Sequence, residues 1–350
     1  TGKSGTIGEQ AGDGLNILLT FLVIGVIATA HELGHFFAAR REGIPVRELS
    51  LGVGPKILQK EKNGTKFSLR LIPVFAYVQM AGVLPEEQDM EDGYLRKRPG
   101  QKARVLVAGS LMNVLLAMVI FIGLFMGMGV YSEEPVLGDV YEGSPAMEAG
   151  FLPGDRIVSI GGENVDSWTS MIGLIGESGG IPLEISVQRD NSTRILQVTP
   201  VTDPESGRAL IGIEKSRVRL NPLQAVIQGV WQSVSFIGLM LVSLGMMISG
   251  AAPAELSGPV GIASMVGQAS TGGLAGILNF TAILSLNLAI LNMLPIPALD
   301  GGKLVLVLVE KIRGKRLSLE KEVTINLVGF AILIGIMLLA AYNDVLSLFR

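Results

Sequence analysis

The sequence predicts a polytopic α-helical membrane protein with one α+β domain inserted between its helices. Hydrophobic residues make up 49% of the 350 residues and charged residues 17%, and the mean hydropathy is +0.49. Soluble domains carry about 25% charged residues. Several stretches are long and apolar enough to span a bilayer as helices. Between two of them, residues 132–213 are richer in charges and turn signals, which predicts a folded domain outside the bilayer.

The composition also excludes some classes of function. The chain has no cysteine, so disulfides, cysteine-ligated zinc and cysteine catalysis are excluded. Its net charge of −3 argues against a nucleic-acid partner. We therefore expect the lipid bilayer, and no nucleic acid, among its partners.

The first apolar stretch carries the motif on which the other predictions depend. His31, Glu32 and His35 form His-Glu-x-x-His, and these are the only two histidines in the sequence. Residues i and i+4 share one helix face, so the histidines can bind one metal ion while Glu32 acts as general base on a bound water. Ionisable residues within a span are costly and usually functional. The alternative is a structural histidine pair.

Four apolar stretches are expected to cross the membrane. Basic residues are concentrated between the first two stretches and again after residue 310, which places these segments in the cytoplasm. The metal site then lies towards the cytoplasmic side, and the inserted domain is extracytoplasmic. Residues 1–13 are expected to be a flexible N-terminus, and residues 14–131 and 258–350 form the membrane core. The predicted helices are 15–39, 103–130, 272–294 and 323–343.

The segment 45–98, between the first two helices, is predicted to be a cytoplasmic or membrane-re-entrant β element. Lys66–Met80 is rich in β-forming residues and follows an Asn63-Gly64 turn signal. The apolar part is too short to span, but it can enter the bilayer if its backbone is covered. An exposed edge there would bind an extended substrate by strand addition. An ordinary cytoplasmic hairpin is the alternative. The substrate-binding residues expected on this element are Val74, Tyr77 and Val78.

Residues 132–216 are predicted to form the inserted domain. A Ser144-Pro145-Ala146 turn is followed by Pro153-Gly154-Asp155, a short helix and two strands. This order resembles the PDZ domains associated with bacterial proteases, which implies binding of extended peptides by strand addition. A role in packing or as a size filter is the alternative. The residues expected to line the groove are Val136, Leu137, Gly138 and Val140.

A third metal ligand is needed, because catalytic zinc takes three protein ligands and leaves one position for water. With no third histidine, the ligand must be oxygen, and Asp300 is the one carboxylate between residues 258 and 309. A helix cap is the alternative role. Asp300 reaches the depth of His31 only if the apolar stretch 223–249 does not cross the membrane. Residues 217–257 are therefore predicted to form an interfacial or re-entrant helix, giving four spans with both termini outside.

Three features together resemble the site-2 protease family over nearly the whole chain. They are the motif at His31, the PDZ insertion, and the pattern N-x-x-x-x-N-x-x-P-x-P-x-L-D-G-G beginning at Asn287. The resemblance implies one zinc ion per chain bound by His31, His35 and Asp300, with Glu32 as the base. It also implies that Asn287 and Asn292 hold an unwound substrate helix. Asn113 could orient a substrate carbonyl or join two helices, and the proline that often precedes it in the family is missing here.

The resemblance further implies an intramembrane endopeptidase of the bacterial plasma (inner) membrane. Its substrates would be single-pass proteins already cut by another protease, such as membrane-bound anti-sigma factors and remnant signal peptides. Two alternatives are a metal transporter and an inactive PDZ-containing membrane chaperone. A transporter would need neither Glu32 nor a PDZ domain.

Overall fold

The computed structural model describes residues 7–87, 89–204, 207–253 and 258–347. The chain divides into two compact units. One consists of Thr1–Ile122 together with Ile227–Arg350, and the other of Gly123–Val226. The first unit contains the apolar helices and the second contains most of the predicted inserted domain.

The first unit begins with a long helix, α1 (Ile7–Arg41), which ends with two arginines in its last turn. It starts before the predicted residue 15, so residues 7–13 are helical, while residues 1–6 lie outside the described part of the chain. Arg40 and Arg41 complement the negative end of the helix dipole. After the β element comes α2 (Pro99–Met128), whose proline occupies the first helical turn, where its missing N–H has no cost.

The β element between these helices consists of β1 (Val46–Lys62) and β2 (Thr65–Met80), joined by the predicted turn. Residues 48–51 pair with 66–69 in the same chain direction and with 76–79 in the opposite direction, while 56–62 pair with 65–70. The chain bends within β1 at Gly52 and Gly54, whose φ angles of 88° and 89° favour glycine. The result is a four-segment sheet, here called the hairpin sheet, in the order 56–62, 65–70, 46–51, 76–80.

The hairpin sheet packs on the second half of α1. A buried cluster joins Phe36 and Ala39 of α1 to Val46 and Leu49 of β1, and Val105 of α2 completes it. Burial of such side chains stabilises the contact by about 1.5–3 kcal/mol each. This cluster fixes the sheet against the helix that carries the metal motif.

The second unit contains short strands and two short helices. They are β3 (Val130–Tyr131), β4 (Leu137–Val140), α3 (Pro145–Glu148), β5 (Arg156–Ile160), β6 (Glu163–Asn164), α4 (Trp168–Gly176), β7 (Leu183–Arg189), β8 (Ser192–Val198), β9 (Val201–Thr202), β10 (Ala209–Leu210), β11 (Ile213–Lys215) and β12 (Arg217–Val218). Four of them form a sheet in the order β6-β5-β7-β8, and β4 pairs with β11. The core contains Phe151, Ile157, Met171 and Ile185. The element order is the one predicted for a PDZ domain.

One ion pair is buried at the turn that precedes β5. Asp155 is fully buried, and both of its oxygens accept hydrogen bonds of 2.7 Å from Arg189. Burial alone would raise the pKa of Asp155, but the bonds from Arg189 and the Leu152 N–H outweigh it and hold the pKa below its ordinary value of 3.8. The pair connects the Pro-Gly-Asp turn to the central sheet.

Replacing Arg189 by Met is expected to lower the free energy of unfolding of this domain by about 3 kcal/mol, because it leaves a buried carboxylate without a partner. Arg156→Met is the control, since its partner Glu134 is exposed and such pairs contribute about 1 kcal/mol or less. The stabilisation by Asp155 should be complete above pH 4 and lost as the pH falls through its lowered pKa. Denaturant unfolding of both variants at several pH values measures this. Equal losses in the two variants would contradict it.

The remaining helices follow the inserted unit. They are α5 (Pro222–Ile248), α6 (Pro259–Thr271), α7 (Gly273–Asn292), α8 (Asp300–Arg313) and α9 (Leu319–Ser347). Gly314 ends α8 in the left-handed conformation, with a φ of 65°. In the described residues, five helices are long and apolar enough to cross a membrane: α1, α2, α5, α7 and α9. The protein is therefore a polytopic membrane protein with a PDZ domain.

Candidate metal centre

Two side-chain atoms of α1 meet a third from the first residue of α8, which is distant in sequence. The Nε2 atoms of His31 and His35 are 3.0 Å apart, as expected for residues one turn apart on a helix. The Oδ2 atom of Asp300 lies 3.0 Å from each of them. The structure thus brings together the two histidines and the carboxylate that were predicted as ligands. Glu32 belongs to the same cluster of potential ligand atoms as the histidines.

The loop before α8 presents Asp300 to the histidines. Leu299 occupies the N-cap of α8, and no side chain caps this helix, so the alternative role of Asp300 as a cap is not adopted. Ala298 has a φ of 75°, and its N–H donates to Asn326 Oδ1. A Cβ on Gly301 would lie 2.3 Å from the Leu294 carbonyl oxygen. Only a residue without a side chain allows the loop to close this tightly.

The helix α2 fixes the orientation of one histidine. The Nδ1 of His35 lies 2.8 Å from the Val105 carbonyl oxygen, which can only accept a hydrogen bond. Nδ1 therefore carries the proton, and in the neutral ring the Nε2 lone pair points towards His31 and Asp300. Such an outer hydrogen bond is typical of metal-binding histidines. Nδ1 of His31 is buried and has no partner in the described residues.

The approach of α2 depends on small residues. A Cβ on Gly109 would lie 2.6 Å from both His31 Cε1 and His35 Nε2, and a Cβ on Gly34 would lie 2.2 Å from the Ala108 carbonyl oxygen. Small residues at such crossings let membrane helices approach closely. Sequence analysis did not assign Gly109 to the site, because a single glycine in an apolar helix carries no chemical signal.

A cavity of about 410 Å³ opens onto the three ligand atoms. It is lined by Glu32 and by three of the predicted substrate residues, Tyr77, Val78 and Asn292. Lys303, Met80 and Leu106 also line it, and sequence analysis did not identify them. Lys303 lies one turn after Asp300, with its Nζ 3.5 Å from Asp300 Oδ1. Its volume is within the range of about 300–1,000 Å³ that is usual for ligand pockets.

Three other predicted substrate residues do not line this cavity in the described part of the chain: Val74, Asn113 and Asn287. Asn113 is 1% exposed, and the Ser285 hydroxyl of α7 donates to its backbone carbonyl. This position favours the alternative in which Asn113 joins two helices. The side-chain oxygens of Asn113 and Asn287 are both buried and have no partner among the described residues.

The contacts of β4 disfavour the predicted peptide groove along Val136, Leu137, Gly138 and Val140. Leu137 is 1% exposed, its N–H donates to Asp155 and its carbonyl accepts from Gly154. On the opposite side β4 pairs with β11. At Leu137 both sides of the strand are therefore occupied, which leaves no free edge for strand addition there. Of the two paired strands, β11 is the outer one among the strands described, and the motif did not reveal this order.

The donor set fits a zinc ion. Two imidazole nitrogens and one carboxylate oxygen are the ligands of many catalytic zinc sites, which keep a fourth position for water. With the Val105 contact fixing its tautomer, His35 presents a lone pair to the same point as Asp300 Oδ2. Gly109 leaves the space beside both rings free of a side chain.

Comparison with known proteins agrees with this chemistry. The model of peptidase family M50 matches residues 19–336. The chain therefore belongs to peptidase family M50, the site-2 proteases.

Its relatives are named as proteases, and one of the two described below is named as a zinc metalloprotease. The regulator of sigma-W protease RasP of Bacillus subtilis is 32% identical over 96% of this chain and 99% of that protein. The zinc metalloprotease RasP of Geobacillus kaustophilus is 30% identical over 96% and 99%. Among solved structures, the PDZ domain of an SdrC-like protein from Listeria monocytogenes covers 25% of this chain and 90% of its own, with 21% identity and a TM-score of 0.22. This protein is a zinc metalloprotease of the intramembrane kind.

Proposed function

We propose that the protein hydrolyses peptide bonds within the transmembrane segments of single-pass membrane proteins. His31, His35 and Asp300 bind the zinc ion, and Glu32 is the general base. The observation that carries this proposal is the meeting of Asp300 Oδ2 with both histidine Nε2 atoms at 3.0 Å, across 269 residues of sequence. A transporter would not need Glu32 as a base, and an inactive chaperone would not need the complete set of ligands and base, which disfavours both alternatives.

The chemistry is divided between the metal and the chain. Zinc, when bound, lowers the pKa of a bound water towards about 7 and polarises the scissile carbonyl. Glu32 lies within the cavity, where it accepts the proton of the attacking water and later donates it to the leaving amine. The Val105 contact keeps His35 in the tautomer that presents Nε2 to the metal.

A substrate helix must unwind before it can be cut, because its peptide bonds are buried in helical hydrogen bonds. Each backbone group freed in apolar surroundings costs several kcal/mol unless it finds a partner. Ala76–Met80 pairs with β1 on one side only among the described strands, and Tyr77, Val78 and Met80 face the cavity. We infer that this edge, here called the edge segment, accepts the unwound backbone by strand addition, and that Asn292 supplies further hydrogen bonds.

The contacts of β2 support the proposal that the hairpin sheet enters the membrane. A Cβ on Gly25 would lie 2.0 Å from the Pro73 carbonyl oxygen, and Gly25 is within the apolar run of α1. This places the β2 bend about 9 Å beyond His31 along the helix. Leu71 and Phe75, on either side of the bend, are 61% and 60% exposed, as expected for side chains that face lipid.

The proposed four-span topology requires that α5 does not cross the membrane. Near its start, Gly229 packs against Ile122 of α2. Ile122 lies about 20 Å beyond Gly109 along α2, in the direction of the C-terminal end of that helix. The start of α5 is therefore at a different depth in the membrane from the metal centre.

Directly after α5, the start of α6 lies on the same side of the metal centre as the start of α5. The N–H of Gly258 donates to Asp344 near the end of α9. Asp344 lies about 22 Å along α9 from Gly329, which packs against Pro297 beside the metal site. Further along α6, Gly267 packs on Asn16 near the start of α1, about 22 Å from His31.

The connection from α5 to α6 is too short to cross the hydrocarbon core of the membrane. Ala251 and Ala252 fold back onto the end of α5, where their N–H groups donate to the Met246 carbonyl. From Ala252 to Gly258 an extended chain covers at most about 21 Å, whereas the hydrocarbon core is about 30 Å thick. This supports the proposal that α5 stays on the outer side.

A cysteine at Gly250 tests this topology, since the chain has none of its own. In intact cells, Gly250→Cys is expected to react with a membrane-impermeant maleimide added outside. Lys315→Cys, in the basic run predicted to be cytoplasmic, is the control and should react only after the membrane is permeabilised. Labelling of the Gly250 variant only after permeabilisation would contradict a four-span topology.

We propose the substrates from the relatives and the architecture together. One relative is named a regulator of sigma-W protease, which supports membrane-bound anti-sigma factors as substrates, with remnant signal peptides as a second class. We propose that the PDZ domain lies outside the cytoplasm, where it admits proteins already shortened by another protease. The metal centre lies towards the cytoplasmic side of the bacterial inner membrane.

The function is tested with the purified protein and a single transmembrane peptide in lipid vesicles. Mass spectrometry of the products is expected to locate the cut within the hydrophobic segment. The same peptide with N-methyl groups beside the cut should be cleaved more slowly, because it cannot donate to the edge segment. Cleavage only in the soluble flanks would contradict an intramembrane protease, and equal cleavage of the methylated peptide would contradict strand addition.

A further inference from the structure

Arg70 occupies the centre of the hairpin sheet. It ends the pairing of segment 65–70, immediately before the bend that leads to the edge segment. Its side chain is 19% exposed, and its guanidinium group contacts segments 46–51 and 76–80 and the bend at Gly54. No residue of the zinc site touches it in the described contacts.

The hydrogen bonds of Arg70 reach two other segments of the sheet and the bend that leads to the third. Its Nε donates to Ser50 Oγ at 2.8 Å, and one terminal nitrogen donates to the Gly54 carbonyl at 2.9 Å. The other terminal nitrogen donates to the Tyr77 hydroxyl at 2.8 Å and to Glu48 Oε1 at 3.3 Å. A planar group with five donors in fixed directions can make this set of bonds, whereas an ammonium group cannot.

The partners of Arg70 are themselves held in place. Ser50 is fully buried and Glu48 is 9% exposed, so the ion pair lies in partly desolvated surroundings. The guanidinium carbon also lies 5.6 Å from the centre of the Tyr77 ring. Lys56 Nζ also lies 3.4 Å from Glu48 Oε1, so replacing Arg70 removes one of two cations from this carboxylate and leaves the Tyr77 hydroxyl without its guanidinium donor.

Tyr77 is the link between Arg70 and the cavity. It belongs to the edge segment, pairs with Ser50 across the sheet, and lines the metal cavity. The edge segment is the last of the four segments in sequence and lies at one edge of the sheet. It follows an irregular stretch in which the pairing register shifts. Its position relative to the metal centre therefore depends on side-chain contacts as well as on the strand ladder.

We infer that Arg70 is a positioning residue for substrate binding: by bonding to segment 46–51, to the bend at Gly54 and to Tyr77, it holds the edge segment against the metal cavity. It determines how tightly an extended substrate backbone docks, and it takes no part in the hydrolysis. The inference rests on the proposed strand addition. It assigns a role in peptide binding to a charged residue outside the zinc site.

The test compares Arg70→Met and Arg70→Lys with Arg47→Met in the full chain in lipid nanodiscs. Arg47 lies on the same element, but its partner Glu87 is outside the sheet. Arg70→Met is expected to raise the KM for a transmembrane peptide about tenfold, the effect of losing one charged hydrogen bond of about 1.5 kcal/mol. kcat and the zinc content stay at wild-type values. Arg70→Lys is expected to be intermediate, and Arg47→Met to match the wild type.

Hydrogen exchange of the backbone amides of residues 76–80, without substrate, gives a second reading. Arg70→Met is expected to speed this exchange about tenfold or more, and Arg47→Met to leave it unchanged. If neither KM nor exchange changed in Arg70→Met, the inference would be overturned. Loss of zinc in Arg70→Met that Arg70→Lys does not restore would also overturn it, since Arg70 would then be needed for the fold in general. Faster exchange with an unchanged KM would show that Arg70 holds the edge segment in the sheet. It would also show that the edge segment does not bind substrate, which would overturn both the strand addition and the role of Arg70 in substrate binding.

Discussion

Glu32→Gln is expected to lower kcat for cleavage of a transmembrane peptide by about 10²–10⁴-fold, the usual contribution of a general acid–base. The amide has nearly the shape of the carboxylate but cannot accept the proton of the attacking water. The three ligand atoms, from His31, His35 and Asp300, are untouched. The variant should therefore still contain one zinc ion per chain, measured by metal analysis of the purified protein.

Measuring kcat and zinc content together distinguishes loss of the general base from loss of the metal ion. Glu61→Gln is the control, because Glu61 is an exposed residue of β1 that does not line the metal cavity. It should retain most of the kcat. An active Glu32→Gln variant with full zinc content would show that another group serves as the base.

Gly109→Ala is expected to lower the activity by about 100-fold or more. The added methyl group would lie 2.6 Å from both His31 Cε1 and His35 Nε2, far inside van der Waals contact. Either α2 moves away or the rings turn, and a displacement of about 1 Å at a reacting centre can cost about 10²-fold. The zinc affinity should fall as well, which competition with a coloured chelator measures.

Gly123→Ala on the same helix is the control for that experiment. A Cβ at position 123 has no heavy atom within 4 Å among the contacts considered, so both activity and zinc affinity should stay near wild type. If Gly109→Ala bound zinc as tightly as the wild type, the close packing of α2 on the histidines would be wrong.

The metal ligands could be predicted from sequence because their chemistry is restrictive. The spacing of His31 and His35 identifies a metal-binding helix face, and the absence of other histidines limits the third ligand to oxygen. Asp300 was then favoured because carboxylates are rare in apolar sequence, and its Oδ2 is found 3.0 Å from both rings. The turn at Asn63-Gly64 and the helix near Trp168 could be located for a similar reason, since local signals determine them.

Features that depend on long-range pairing could not be predicted. The strand order of the PDZ domain places Leu137 between two neighbours, and no local pattern distinguishes such a strand from an edge strand. The folding of β1 and β2 into four segments depends on pairing between residues that are distant in sequence, which a strand propensity does not record. The role of Gly109 is a steric one that appears only when α1 and α2 are packed together.

The zinc content of Asp300→Ala tests the central claim most directly, because Asp300 is the ligand that joins the two halves of the membrane core. The wild type and Glu32→Gln should each hold one zinc ion per chain after dialysis against a weak chelator. Asp300→Ala should lose its zinc under the same conditions, while its helical content by circular dichroism stays unchanged. If Asp300→Ala retained one zinc ion per chain with wild-type affinity, Asp300 would not be a ligand, and the proposed site would be wrong.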